Sequence, residues 1–326
     1  LNNAGLWDSF RERPFDRVPN INSKPNYIFV NCCRKDPLEL NPNLIISKEN
    51  NFFDLGLDAL EELAEDAVFL CGNEEIETVN ENVENFLISG KYTSGNSSSH
   101  INKICPIRKS KKTWTISWQD VIRIGKYIST ESYCFEKYVS VTGSACIEPK
   151  LLKTVSGASL TELTAGNTNK ESRLISGSAL YGTSGESYTS YITRYSDQVT
   201  IISDERKANL FNWLKLGEKD HSATNVFLSS ITKPEKFDFD TNVNGGYRAI
   251  VPIGVFDEVN VFDIDPTLFL KSLAIGDLVA LRELGIFDLI PEDMSVFSYV
   301  CPSKYDYVAL FKDCLLYTSD AADDVH

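Results

Sequence analysis

The sequence predicts an α/β plus α+β protein in three parts: a Rossmann-like α/β layer over 26–133, a β-grasp module over 134–203 and a small helical bundle over 204–316. Three patterns carry this reading. An apolar run from Tyr27 to Asn31, a helical recurrence and a second apolar run from Val68 to Cys71 follow as strand, helix, strand, the repeating unit of a parallel sheet. Between Tyr138 and Gly182, two extended pieces, a short helix and a returning strand follow in β-grasp order. In the last third, proline or acidic starts and glycine stops mark out short helices.

Residues 1–25 are rich in Pro, Asn and Arg, with Trp7 and Phe15 as apolar anchors, and read as an irregular lead-in. The short apolar run at Tyr27 suits a strand buried on both faces. From Phe52, apolar positions 53, 57, 60 and 63 recur at helical spacing, while Glu61, Glu62, Glu65 and Asp66 turn outward. Residues 72–112 are polar, centred on Gly95-Asn96-Ser97-Ser98-Ser99, and read as long connections. Trp114 and Ile116 then alternate into Trp118, and Val121, Ile122, Ile124 and Ile128 continue as a helix.

In the middle part, Val139 and Val141 alternate toward Thr142-Gly143; Leu151 to Val155 is a second strand, and Ser156-Gly157 turns the chain. Ser159 stands three residues before Glu162 as a capping box, Gly166 stops the helix, and Arg173 to Gly177 returns as a strand. After Val199 to Ile202, Ser203-Asp204-Glu205 opens a helix through Phe211 and Leu214. Asp265 is an N-cap with Pro266 at the first helical position. Gly276-Asp277 and Gly285 bracket the next helix, Pro291-Glu292-Asp293 starts another, and Pro302-Ser303 precedes the last, through Leu310 to Cys314.

Bulk composition narrows the function. The 326 residues, 42% hydrophobic, suffice for two or three domains. A formal charge of −14 argues against a nucleic-acid partner, which needs clustered Lys and Arg; the run Arg108 to Lys112 reads as a solvated loop. No stretch of about 18 apolar residues is present, so any membrane role is expected to be peripheral. Eight scattered cysteines, Cys32-Cys33 included, read as reduced thiols.

The phrases SVTG, GASLTELTAG and RLISGSALYG resemble the soluble-ligand-binding β-grasp module of flavin- and quinone-linked respiratory proteins. Its flanks narrow the likeness. Ala4 to Trp7, Arg13 to Pro19, Thr113 to Tyr127, Arg248 to Val259, Asp263 to Asp277 and Tyr299 to Tyr307 resemble the A-subunit family of the Na+-translocating NADH:quinone oxidoreductase, over residues 1 to about 314. The resemblance implies a peripheral component on the cytoplasmic face of the bacterial inner membrane, docked at the quinone-reducing end on the membrane-embedded B-subunit. The complete complex passes electrons from NADH to ubiquinone and exports Na+, using FAD, FMN, riboflavin and iron-sulfur centres on its other components. Family members begin with a further β-rich domain, so the chain is expected to be a fragment. Cys314 to Asp324, CLLYTSDAADD, resembles a translated sequencing adaptor, and residues 317–326 are expected to be a non-native tail.

The residues themselves favour no bound cofactor. There is no G-x-G-x-x-G after the Tyr27 strand and no phosphate loop, so nucleotide binding is not expected. An iron-sulfur cluster needs about four thiolates, and Cys301, before Pro302, has no second cysteine at C-x-x-C spacing and reads as a buried structural thiol. Ser156 to Ser159 resembles the S-G-A-T segment that carries covalent FMN in two other components of that complex, but it ends in Ser and turn chemistry explains it. His100 and His221 read as loop residues without metal spacing; in the family a Pro-His-Pro-Ala-Gly-like phrase precedes Thr-His-Ile, and here Gly90 to Gly95 and Ser99-His100-Ile101 stand in those places. Glu61/Glu65 and Asp263/Asp265 read as a solvated helix face and a helix start. Tyr181, Tyr188, Tyr191 and Tyr195 read as rings covering a sheet. No catalytic or metal residue is expected. The expected ligand or partner surface is Arg173, Ser176, Gly177, Gly182 and His100, with ubiquinone as a candidate ligand. The alternative is a stand-alone β-grasp protein for a small ligand.

Overall fold

The computed structural model describes residues 1–34, 36–107, 111–168, 171–184, 190–204, 216–218, 220–222, 226–235, 237, 239–243 and 245–323. Among the described residues, two five-stranded sheets and a group of helices make up a mixed α/β fold. The first sheet comprises β1 (Arg11–Glu12), β2 (Tyr27–Cys32), β3 (Ala67–Gly72), β4 (Glu84–Leu87) and β5 (Thr113–Ser117), in spatial order β1-β5-β2-β3-β4. All neighbours pair in parallel except β1 with β5. Tyr27 at the start of β2 sits beside Ala67 and Thr113.

Both faces of this sheet are covered, which is why β2 is apolar without strict alternation. Ile28 and Val30 pack on one face with Val68, Leu70 and Trp114 against α2 (Asn50–Leu63) and α4 (Trp118–Thr130). Phe29, Phe69 and Cys71 face the other way, toward Ile101 of α3 (Ser97–Ile104). A short α1 (Asn43–Ile46) precedes α2 and buries Ile45 and Ile46. The α2 and α4 backbones meet at glycines: a Cβ on Gly125 would stand 1.7 Å from the Phe52 carbonyl oxygen, and one on Gly56 2.2 Å from that of Val121.

The second sheet comprises β6 (Glu136–Thr142), β7 (Lys150–Val155), β8 (Ser172–Ser176), β9 (Thr183–Ser184) and β10 (Gln198–Ser203), in order β7-β6-β10-β8-β9. Only β6 and β10 are parallel. The one-turn α5 (Leu160–Leu163) drops Leu160 onto Val139, Val141, Val199 and Ile201. After α6 (Ser229–Thr232) come α7 (Val255–Val259), α8 (Pro266–Ile275), α9 (Leu278–Glu283), α10 (Asp293–Val300) and α11 (Tyr307–Asp323), which gather Phe256, Phe269, Phe297, Tyr307 and Phe311 into a third core. The Asp265 and Asp277 side chains accept from Leu268 N and Ala280 N at 2.9 and 3.0 Å, as cap positions require. Among the described residues no helix is long and apolar enough to cross a membrane.

Several elements differ from the sequence reading. The polar stretch 72–112 holds β4 and α3; α3 is stabilised from outside, because Asn96 and Ser98 donate to buried Asp293 at 2.8 and 2.9 Å. His100 accordingly lies in a helix, 0% exposed, rather than in a polar loop. The lead-in supplies β1 and seats Leu6 and Phe10 in the core, with Trp7 edge-on to Trp114 at 5.5 Å between ring centroids. Ser159 occupies the N-cap of α5 but makes no side-chain cap bond. α11 continues to Asp323, across the expected boundary at 316. The helix expected through Phe211 and Leu214 lies outside the described residues, as do Arg108, Lys109 and Tyr188.

Candidate cavity at the sheet switch point

From β2 the chain crosses through α2 to β3 on one side, whereas β5 lies on the other. The crevice outside the carboxyl ends of β2 and β5 is therefore where the connections diverge, the usual ligand position in an open parallel sheet. A cavity of about 310 Å³ occupies that position, with Asn31 at the end of β2 and Ser117 at the end of β5 in its wall. Asn31 is held by its Nδ2, which donates to the Gly95 carbonyl at 3.0 Å. Ser117 caps α4 by accepting from Gln119 N at 3.2 Å.

Charged side chains from three parts of the chain converge here. Asp120, in the first turn of α4, accepts from Arg123 and from Arg194, each at 2.7 Å. Burial works against the Arg194 charge, yet Asp120 and Asp8 together outweigh it and raise its pKa. Lys137 of β6 is 1% exposed, donates to the Arg194 carbonyl at 2.7 Å and pairs with Asp197 at 3.1 Å; burial lowers its pKa, and Asp197 opposes that shift. Gln119 exchanges bonds with the Tyr138 backbone at 2.9 and 3.0 Å and so fixes α4 against the second sheet. From the lead-in, the Arg11 guanidinium lies 3.9 Å above the Tyr195 ring.

The expected surface residues divide. Ser176 and Gly177 line the cavity. Ser176 Oγ accepts from Thr193 N at 2.9 Å, and Gly177 N donates to the Gln198 carbonyl at 2.7 Å. Arg173 instead pairs with Asp204 at 3.0 Å, half-exposed. A Cβ on Gly182 would stand 2.2 Å from Ile175 Cγ2, so Gly182 serves close packing. His100 bonds through Nε2 to the Ser94 carbonyl at 3.0 Å, and burial pulls its pKa down to about 4.

Sequence reading missed Arg11, Arg13, Asp120, Arg123, Lys137 and Arg194. The one local signal was Asp120 and Arg123 at helical i,i+3 spacing; the other groups meet only through topology. Cys301 is fully buried and all eight cysteines are free; burial pushes the Cys33 thiol up to about 12, where it is inert. Among the described residues no group of three or more His, Cys, Asp or Glu is placed to hold a metal ion.

Comparison with known proteins matches residues 1–133 to the NqrA second alpha/beta domain and residues 138–186 to the NQRA C-terminal domain. The chain is 37% identical over 319 residues to the A-subunit of the Na(+)-translocating NADH-quinone reductase of Saccharophagus degradans, covering 97% of this chain and 71% of that one. The corresponding A-subunits of Vibrio alginolyticus and Neisseria meningitidis serogroup B are 36% and 37% identical over 97% and 96% of this chain, and each is covered to 71%. A solved structure, an NAD+-reducing [NiFe]-hydrogenase in the air-oxidized state, is similar at a TM-score of 0.46 and 12% identity, over 96% of this chain and 61% of its own.

Proposed function

The chain belongs to the A-subunit (NqrA) family of the Na(+)-translocating NADH-quinone reductase, and from that premise we propose that it acts as one component of the complex that transfers electrons from NADH to ubiquinone and exports Na+. The observation that carries this is identity of 37% across 97% of the chain, which reaches far beyond the second sheet and so disfavours a stand-alone ligand-binding module. In this reading the chain is a peripheral piece on the cytoplasmic face, docked at the quinone-reducing end on the membrane-embedded B-subunit, while FAD, FMN, riboflavin and iron-sulfur centres sit on other components. It performs no bond chemistry alone.

We read the first sheet as a Rossmann-like layer (26–133), the second as a β-grasp (134–203) and the C-terminal helices as a small bundle (204–316). The cavity between them is the proposed ligand face, with Ser176 and Gly177 in its wall; Arg173, Gly182 and His100 belong to the packing and surface around it. The test is co-purification with a tagged B-subunit. Retention of this chain in stoichiometric amount, with a colourless free chain, supports the assignment. Failure to associate, or a flavin band on the purified chain, overturns it.

A further inference from the structure

Two cations of the cavity wall have no carboxylate against them. Arg123 and Arg194 share Asp120, and Lys137 is matched by Asp197. Among the described residues neither Arg11 nor Arg13 forms an ion pair. Arg13 is 5% exposed; its Nη2 donates to the Phe287 and Leu289 carbonyls at 3.2 and 2.8 Å, while Nε and Nη1 have no acceptor among the described residues. Burial works against the Arg13 charge, and Asp16, Asp293, Glu292 and Asp288 support it only from beyond ion-pair distance. Arg11 gives an Nη1 bond to the Asp16 carbonyl at 3.2 Å and stacks on Tyr195. Both arginines line the same cavity.

A buried guanidinium with unanswered donors is costly, because water no longer solvates it and no acceptor replaces the water. A charge-assisted bond to an oxyanion removes that cost more fully than a neutral acceptor does. Of the acids in or behind the wall, Asp120 and Asp197 are in ion pairs, Asp36 accepts from the Tyr92 hydroxyl at 2.7 Å, and Asp293 accepts from Asn96, Ser98 and Ile290 N, whereas Asp16 and Glu292 line the cavity and act on Arg13 only from beyond ion-pair distance. At about 310 Å³ the space suits a compact molecule rather than a chain.

We propose that the cavity at the carboxyl ends of β2 and β5 binds a small oxyanion, a carboxylate or a phosphate, at the end walled by Arg11 and Arg13. The inference rests on the reading of this cavity as the ligand face and is independent of assembly with the B-subunit, which co-purification tests separately. The full chain is titrated calorimetrically with inorganic phosphate and with succinate, in chloride at matched ionic strength. Saturable binding of at least one anion is expected; the tighter arm distinguishes a phosphate source from a carboxylate source. Arg13→Gln and Arg11→Gln each weaken it at least about tenfold, whereas Arg34→Gln, outside this cavity, leaves it unchanged. If Arg13→Gln fails to fold, Arg11→Gln carries the test alone. Absence of saturation by both anions overturns the proposal, as does parental affinity in the folded arginine variants or saturation by a short-chain quinone alone.

Discussion

At the scale of single residues, the glycine after β6 and two buried titratable groups make the sharpest expectations. Gly143 has φ +127°, and a Cβ there would stand 2.1 Å from the Ile201 carbonyl oxygen; Gly157 has φ +80° with open space around it. Gly143→Val therefore combines strain with a backbone clash and should lose more than about 3 kcal/mol, against about 1 to 2 for Gly157→Val, where only strain acts. Urea midpoints at constant m-value measure the order, and equal losses would contradict it. Burial raises the pKa of Asp293 to about 6 although Asn96, Ile290 N and Ser98 favour its ionised form. A raised carboxyl pKa contributes stability below the unfolded value, near 4, that is lost as pH rises through 6. His100, lowered to about 4 by burial, does the reverse: its contribution is present above about 6.5 and lost as pH falls through 4. The two oppose each other over one window. His100→Gln should lose stability from pH 4 to 6, and Asp293→Asn should gain it, each by a few kcal/mol in order of magnitude; two parallel profiles would refute the opposition.

At the scale of elements, capping separates helices that look alike in sequence. Asp265 accepts from Leu268 N, so Asp265→Ala should cost about 1 kcal/mol. Ser159 makes no such bond, and Ser159→Ala should change stability by only a few tenths. Thermal melts of both variants decide this; an equal loss would restore the capping box. In α11, Phe311, Cys314 and Leu315 are buried while Leu316 and Tyr317 are 62% and 69% exposed. Deleting 318–326 should therefore leave the melting temperature unchanged within error, and a drop comparable to losing a packed helical turn would show that this part of α11 is held by the core.

At the scale of the whole molecule, a few long-range bonds set how the three cores meet. Arg13 reaches the Phe287 and Leu289 carbonyls, Asp293 reaches Asn96 and Ser98, and Arg194 reaches Asp120. These bonds surround the cavity, so its shape depends on all three parts docking together. Arg194→Gln removes the bonds from its guanidinium to Asp120, Asp8 and Ser9 and leaves Asp120 with Arg123 as its remaining ion-pair partner. That change should cost about 1 to 3 kcal/mol, set mainly by the buried charge-assisted bond to Asp120, the Asp8 pair being half-exposed and worth little. Urea unfolding checks it, and an unchanged midpoint would mean that the second sheet docks without this pair.

The order of strands and helices was legible because it rests on local rules. Apolar periodicity separated β2, α2 and β3, glycines at positive φ marked the turns at 143, 157 and 177, and Asp265-Pro266 marked the start of α8. The phrases spread along the chain carried its family. What lay out of reach was set by residues distant in sequence. α3 is polar and short, and it is a buried helix because Asp293, almost two hundred positions away, accepts from its first turn. The lead-in looks irregular until β5 offers it an edge to pair with. The cavity joins Arg11, Asp120, Lys137 and Arg194, whose charges have no common sequence pattern. Propensity and periodicity act over a few residues and so are written along the chain; the pairing and burial of charge depend on which surfaces the fold brings together, and only the tertiary structure decides that.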